Sequence, residues 1–257
     1  MSFVERDANT QFHVEDSGVG DRPLLFVHGI GCDSRDFEPL MAAFKARHRV
    51  VAVDLRGHGE SSAAPAEGLT IFEYASDVEW LCDALSLDKP VLIGHSLGGM
   101  VGVELGRKSP SLLSGVALLD SSVCMPAAAW QFMAPVLESL HGDDWRGPLL
   151  GLIGGLADPT RNPAKHQFLL ERASSAPRTI FSRAFDSAAQ WDASAALAAC
   201  RLPLLYLASM LPVDEDALRR LKPDVRLERL DAGHYPHVEL PNEVISTLTA
   251  FLHQPPS

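Results

Sequence analysis

Ser96 lies within Gly94-His95-Ser96-Leu97-Gly98, directly after the apolar run Pro90-Val91-Leu92-Ile93. A serine flanked by glycines two positions away on each side, between a strand and a helix, forms a turn whose strained backbone lifts the hydroxyl clear of the sheet. Ser96 is therefore the candidate nucleophile. A serine hydroxyl reacts poorly at neutral pH without a base, and histidine titrates in the right range. Of ten histidines in the chain, His234 in Ala232-Gly233-His234-Tyr235-Pro236-His237 is the candidate base. It follows the last apolar run, which puts it at the same carboxyl edge of the sheet as Ser96. His237 is the alternative, while His28 and His95 are expected to brace the loops they occupy. Attack on a carbonyl also develops negative charge on oxygen, which fixed N–H donors must hold. The backbone amides of Ile30, in His28-Gly29-Ile30-Gly31, and of Leu97 are the candidate oxyanion-hole donors. Alone, that glycine-rich stretch reads as an ordinary strand-to-loop turn; paired with the Ser96 turn it reads as an oxyanion hole. Cys32, in the same loop, ranks far behind Ser96 as a nucleophile.

These groups need a scaffold of strands and helices. Residues 2–6 and 10–16 read as a hairpin across Asp7-Ala8-Asn9, followed by apolar runs at 23–28, 48–53, 90–95 and 114–119. Such short runs suit strands buried on both faces of a parallel sheet. Thr70 and Glu73 form a capping box, after which Ile71, Ala75, Val78, Leu81, Cys82 and Leu85 recur at helical spacing. Pro241 opens a last helix with Val244, Ile245, Leu248, Phe251 and Leu252 as its apolar stripe. Repeated β-α units give a doubly wound sheet. The stretch 126–200 breaks this rhythm. Punctuated by Pro126, Pro148, Pro159, Pro163 and Pro177, it predicts an insertion of three or four helices before the next strand at 202–208. Its apolar residues, among them Trp130, Phe132, Met133, Leu152, Ile153, Phe168, Phe181 and Trp191, are expected mostly to pack together, with a few lining a pocket above Ser96.

Composition restricts the function classes. A chain of 257 residues that is 46% apolar can bury a substantial core and suits one domain with an insertion. A net charge of -11 repels phosphate backbones and anionic lipid, so neither nucleic acid nor membrane is an expected partner. The start of the chain lacks an export pattern, and no apolar stretch nears the ~20 residues of a bilayer span. The expectation is a soluble cytoplasmic protein, monomer or homodimer, acting on a small molecule. Cys32, Cys82, Cys124 and Cys200 are widely spaced, which argues against zinc or a disulfide framework and for free thiols. No metal or organic cofactor is expected.

Four motifs, His28-Gly29-Ile30-Gly31, Asp54-Leu55-Arg56-Gly57-His58-Gly59-Glu60-Ser61, Gly94-His95-Ser96-Leu97-Gly98-Gly99 and Gly233-His234, occur in an order that resembles the α/β-hydrolase fold. The resemblance covers nearly the whole chain. It implies an eight-stranded, mostly parallel sheet with helices on both faces, a core of 1–122 and 201–257, and a helical lid over 123–200, between strands six and seven. It also implies a triad in chain order nucleophile, acid, histidine. The Asp54–Ser61 stretch is similar to a loop that is mainly structural, so Arg56 and His58 are expected in an ion-paired turn rather than on substrate.

The acid departs from the usual pattern. In many relatives it closely follows strand seven, but here that strand runs into Ala208-Ser209-Met210-Leu211-Pro212, without a carboxylate. Asp214 and Asp216 come later and suit the first turn of a helix. Asp120, at the end of strand six in Leu118-Leu119-Asp120-Ser121, matches the position used by a minority of the family, including some lactone-cleaving enzymes. The expected triad is therefore Ser96, Asp120 and His234, with Asp214 the alternative acid. The expected activity is hydrolysis of a small or medium, largely apolar carboxylic ester or lactone through an acyl-enzyme. A carbon-carbon bond hydrolase, a cofactor-free ring-opening dioxygenase and a hydrolase-like ligand receptor are the rival readings.

Overall fold

The computed structural model describes residues 2–17 and 19–253. A hairpin of β1 (Ser2–Asp7) and β2 (Thr10–Asp16) leads into β3 (Leu24–Val27), α1 (Glu38–Phe44) and β4 (Val50–Val53). Then come α2 (Ile71–Ala84), β5 (Val91–His95), α3 (Leu97–Lys108) and β6 (Gly115–Leu119). Five helices follow: α4 (Ala127–Ser139), α5 (Arg146–Leu156), α6 (Pro163–Ser175), α7 (Arg178–Gln190) and α8 (Ala193–Ala199). The core resumes with β7 (Leu204–Ala208), α9 (Glu215–Leu221), β8 (Arg226–Arg229), α10 (Pro236–Glu239) and α11 (Pro241–Leu252).

The strands form one sheet in the order β1-β2-β4-β3-β5-β6-β7-β8. β1–β2 and β2–β4 pair antiparallel, and every other pair is parallel. β3, β4, β5, β6 and β7 are buried along their whole lengths because helices cover both faces. Side-chain alternation sorts them: Leu25, Val27, Val51, Val53, Leu92 and Val116 pack with Ile71, Tyr74 and Val78 of α2 and Val101 and Leu105 of α3. The intervening Leu24, Phe26, Val50, Val91 and Ile93 pack with Leu40 of α1 and with Val244, Leu248 and Phe251 of α11. The carboxyl ends of β3, β5, β6 and β7 consequently share one edge, where their loops meet.

Thr70 caps α2 by accepting the Glu73 N–H at 3.2 Å. Glu73 also pairs with Arg56 at 3.7 Å. The insertion between β6 and β7 has five helices rather than three or four, and it builds a core of its own. Leu149, Ile153, Leu169, Ala173 and Phe181 cluster there with Cys32 and Tyr235, which belong to the loops below. Phe132 does not join this packing: it is 87% exposed, on a helix with no buried residue. Among the described residues, no helix is long and apolar enough to cross a membrane.

Candidate active site

Ser96 joins β5 to α3 with φ 50° and ψ -115°, a sparsely populated conformation costing on the order of 1–3 kcal/mol. Its N–H donates to the Leu119 carbonyl at 3.0 Å, which ties the turn to β6. The flanking glycines are required by close backbone approach: a Cβ at Gly94 would lie 2.3 Å from the Gly98 backbone, and one at Gly98 2.0 Å from the Val27 carbonyl oxygen. Sheet, turn and helix thus meet with no room for side chains, and Ser96 is pushed toward the carboxyl edge.

The loop after β3 approaches Ser96 from the side. A Cβ on Gly29 would sit 3.0 Å from the Ser96 Cβ. The Cys32 N–H donates to the Gly29 carbonyl at 3.1 Å, closing a tight turn whose third residue, Gly31, has φ 70°. Ile30 occupies the second position of this turn, while Leu97 opens α3, where amides have no partner within the helix. His28 braces the loop from beneath. Its Nε2 accepts the Leu55 N–H at 2.9 Å, so its Nδ1 carries the proton donated to the Gly29 carbonyl at 2.8 Å. Burial lowers the His28 pKa and keeps the ring neutral.

Asp120 follows β6 with φ 45°, a left-handed conformation that aspartate tolerates better than most residues. Its side chain is fully buried. The carboxylate accepts N–H groups from Ser209 at 2.7 Å and Leu211 at 3.1 Å, and the His234 Nδ1–H at 2.8 Å. Donation from Nδ1 leaves the His234 Nε2 with its lone pair. The structure brings Asp120, and not Asp214, to His234. Asp214 caps α9, where its side chain accepts the Ala217 N–H at 2.8 Å. The imidazole of His95 donates from Nε2 to the His234 carbonyl at 2.8 Å. Burial, with the neighbouring histidines, drives the His95 pKa well below its usual value.

Ser96 and His234 face a common cavity of about 50 Å³, walled by His95, Ile30, Ser122, Met133, Leu152, Ile153, Leu156, Phe185, Leu211 and Tyr235. Among the described residues, no carboxylate, lysine or arginine lines it. Met133, Leu152 and Ile153 belong to the apolar surplus read from the insertion sequence. Phe185 and Leu156 lie on the same insertion without a local signal that distinguishes them, and Leu211 lies in the loop after β7, where the usual acid would stand. His237 is buried against the Phe37 ring, 5.0 Å between centroids, and burial lowers its pKa to about 3. The Cys32 thiol is pushed up by burial, away from thiolate. Arg56 pairs with Asp77, and His58 Nδ1 donates to the Arg56 carbonyl at 3.0 Å; neither residue lines this cavity. Among the described residues, no three His, Cys, Asp or Glu side chains converge as a metal site.

Comparison with known proteins accords with this fold. The chain is 30% identical to the magnesium-chelatase 30 kDa subunit of Rhodobacter capsulatus, over 87% of this chain and 84% of that protein. It is 25% identical to 3-oxoadipate enol-lactonase 1 of Acinetobacter baylyi, over 93% and 92% of the two chains. A thermophilic esterase from Thermogutta terrifontis superposes with a TM-score of 0.82 and 27% identity, covering 98% of both chains. Other relatives are matched over shorter stretches, 38% to 42% of their own length. The relatives and structural neighbours support hydrolase activity. A family model described as alpha/beta hydrolase fold matches residues 22–154, just over half of the sequence, and the chain belongs to that family.

Proposed function

We propose that the protein is a serine hydrolase cleaving a small or medium, largely apolar carboxylic ester or lactone. The observation that carries this reading is the Asp120–His234 hydrogen bond at 2.8 Å, with His234 and Ser96 lining one cavity. Asp120 holds the imidazole as the Nδ1–H tautomer, so Nε2 can take the Ser96 proton as Oγ attacks the carbonyl carbon. The amides of Ile30 and Leu97 donate to the oxyanion of the tetrahedral intermediate. The imidazolium returns its proton to the departing alkoxide, leaving an acyl-Ser96 ester. Water, deprotonated by His234, then attacks this ester and releases the acid and the serine hydroxyl. In a lactone, alcohol and acid remain one molecule.

The apolar insertion side chains around Ser96 favour uncharged acyl groups, since a carboxylate on the substrate would meet no cationic partner among the described residues there. A serine at the turn also disfavours chemistry that needs a carboxylate nucleophile. The test is a parallel screen of small esters, lactones and vinylogous diketone acids against the native protein and Ser96→Ala. Ester or lactone turnover lost in Ser96→Ala supports the proposal. Turnover confined to the diketone acids assigns the site to carbon-carbon bond cleavage instead.

A further inference from the structure

We propose that Glu239 positions the general base by tying the His234 loop to the inserted helix α5, an inference that rests on His234 acting as base for Ser96. Glu239 is the last residue of α10, five positions beyond His234. One carboxylate oxygen accepts the Gly233 N–H at 2.8 Å, and the other faces the Asp158 N–H at 3.4 Å. Asp158 lies two residues beyond the end of α5. The carboxylate therefore bridges the loop that carries the base and the segment that leaves the cavity wall.

The backbone N–H and carbonyl groups of both Gly233 and His234 are held. The Gly233 carbonyl accepts the Ser209 hydroxyl at 2.8 Å, and the His234 N–H donates to the Leu156 carbonyl at 2.7 Å. The His234 carbonyl accepts from His95 Nε2 at 2.8 Å. Leu156 closes α5 and lines the cavity, so one hydrogen bond links the cavity wall directly to the peptide of the base. Glu239 keeps these partners in register. A Cβ at Gly233 would stand 2.4 Å from its Oε1 and 2.9 Å from the Leu156 oxygen, so the loop, the carboxylate and the end of α5 are in close contact. Glu239 reaches both N–H groups at once and so adds a second tie across this junction beside the His234–Leu156 backbone bond. The imidazole direction, and with it the Nδ1–Asp120 bond, follows from the peptide so fixed.

The experiment compares Glu239→Gln and Glu239→Ala with the native protein. Tm is measured for each, as are the rate of fluorophosphonate labelling of Ser96 from pH 5 to 9 and kcat and KM on an ester found by the screen. Glutamine is near-isosteric but presents an amino group to one of the two N–H donors, so it breaks the bridge while keeping the volume. A displaced base is expected to lower kcat and the labelling rate by on the order of 10- to 100-fold, with KM within about threefold. A merely structural role would lower kcat and the labelling rate only in proportion to the folded fraction. Native kcat and a native labelling rate in folded Glu239→Gln overturn the inference. Failure of the native protein to label at Ser96 would instead overturn the catalytic reading beneath it.

Discussion

Asp120→Asn separates the two candidate acids most sharply. Asparagine tolerates the left-handed backbone at this position, so the main chain should persist. Two orientations of the amide compete. With its oxygen toward Ser209, it keeps the Ser209 bond at 2.7 Å and the longer Leu211 contact at 3.2 Å, but aims NH₂ at His234 Nδ1. The imidazole must then accept at Nδ1 and carry its proton on Nε2, the tautomer that cannot deprotonate Ser96. The reverse orientation sets NH₂ against the Ser209 N–H and leaves a buried donor unpaired, at about 1–3 kcal/mol. The first orientation wins, and the expected loss of kcat is about 10⁴-fold, or roughly 5 kcal/mol of barrier. Ester hydrolysis with matched unfolding curves measures it. Activity within a few-fold of native in a folded Asp120→Asn protein would refute the argument. Asp214→Asn is the paired control: it caps α9, so it should cost at most about 1 kcal/mol of stability and leave kcat unchanged.

Gly98→Ala should fail to fold or lose more than about 3 kcal/mol in denaturant unfolding, since its Cβ would fall 2.0 Å from the Val27 carbonyl oxygen in a junction with no slack; an unperturbed midpoint would contradict this packing of the turn. Stability should fall with acid. His58 and His237 are held neutral by burial, their pKa values lowered from 6.5 to about 3, so between those values the unfolded chain binds more protons than the folded one. Their contribution is present above about pH 6.5 and is lost progressively as pH falls toward 3. Denaturant midpoints at pH 7, 6, 5 and 4 should decline, and His237→Phe, which can still stack on Phe37, should flatten that decline.

The strands at 24–27, 50–53, 91–95, 115–119 and 204–208 are legible in the sequence because a buried parallel strand must be apolar along its whole length. β8 obeys another rule. Arg226–Arg229 reads Arg-Leu-Glu-Arg, and as an edge strand paired only with β7 it exposes charges that hide it from an apolar search. The insertion is legible as a break in rhythm, and Pro126, Pro163 and Pro177 stand at the starts of α4, α6 and α7; the count of five is harder to read, since α8 is opened by the side chain of Asp192 with no proline to mark it. Ser96 is legible because close backbone packing leaves a mark at fixed spacing, in Gly94 and Gly98. Asp120 is harder. It stands out only by elimination, since nothing in Leu119-Asp120-Ser121 distinguishes a partner for His234 from a turn residue. Glu239 and the Leu156 carbonyl leave no mark, for they act on backbone N–H groups. A contact such as Glu239 with the Asp158 N–H, 81 residues apart in sequence, writes no pattern into either partner.

A Ser96 nucleophile activated by His234 would react with an active-site-directed phosphonate. Incubation with a fluorophosphonate followed by intact-mass and peptide mass spectrometry tests it without any guess about the substrate. One adduct per chain is expected on Ser96, absent in Ser96→Ala and slowed on the order of 10³-fold or more in His234→Ala. A folded native protein that hydrolyses esters yet carries no adduct on Ser96, or labels equally well without His234, would contradict it.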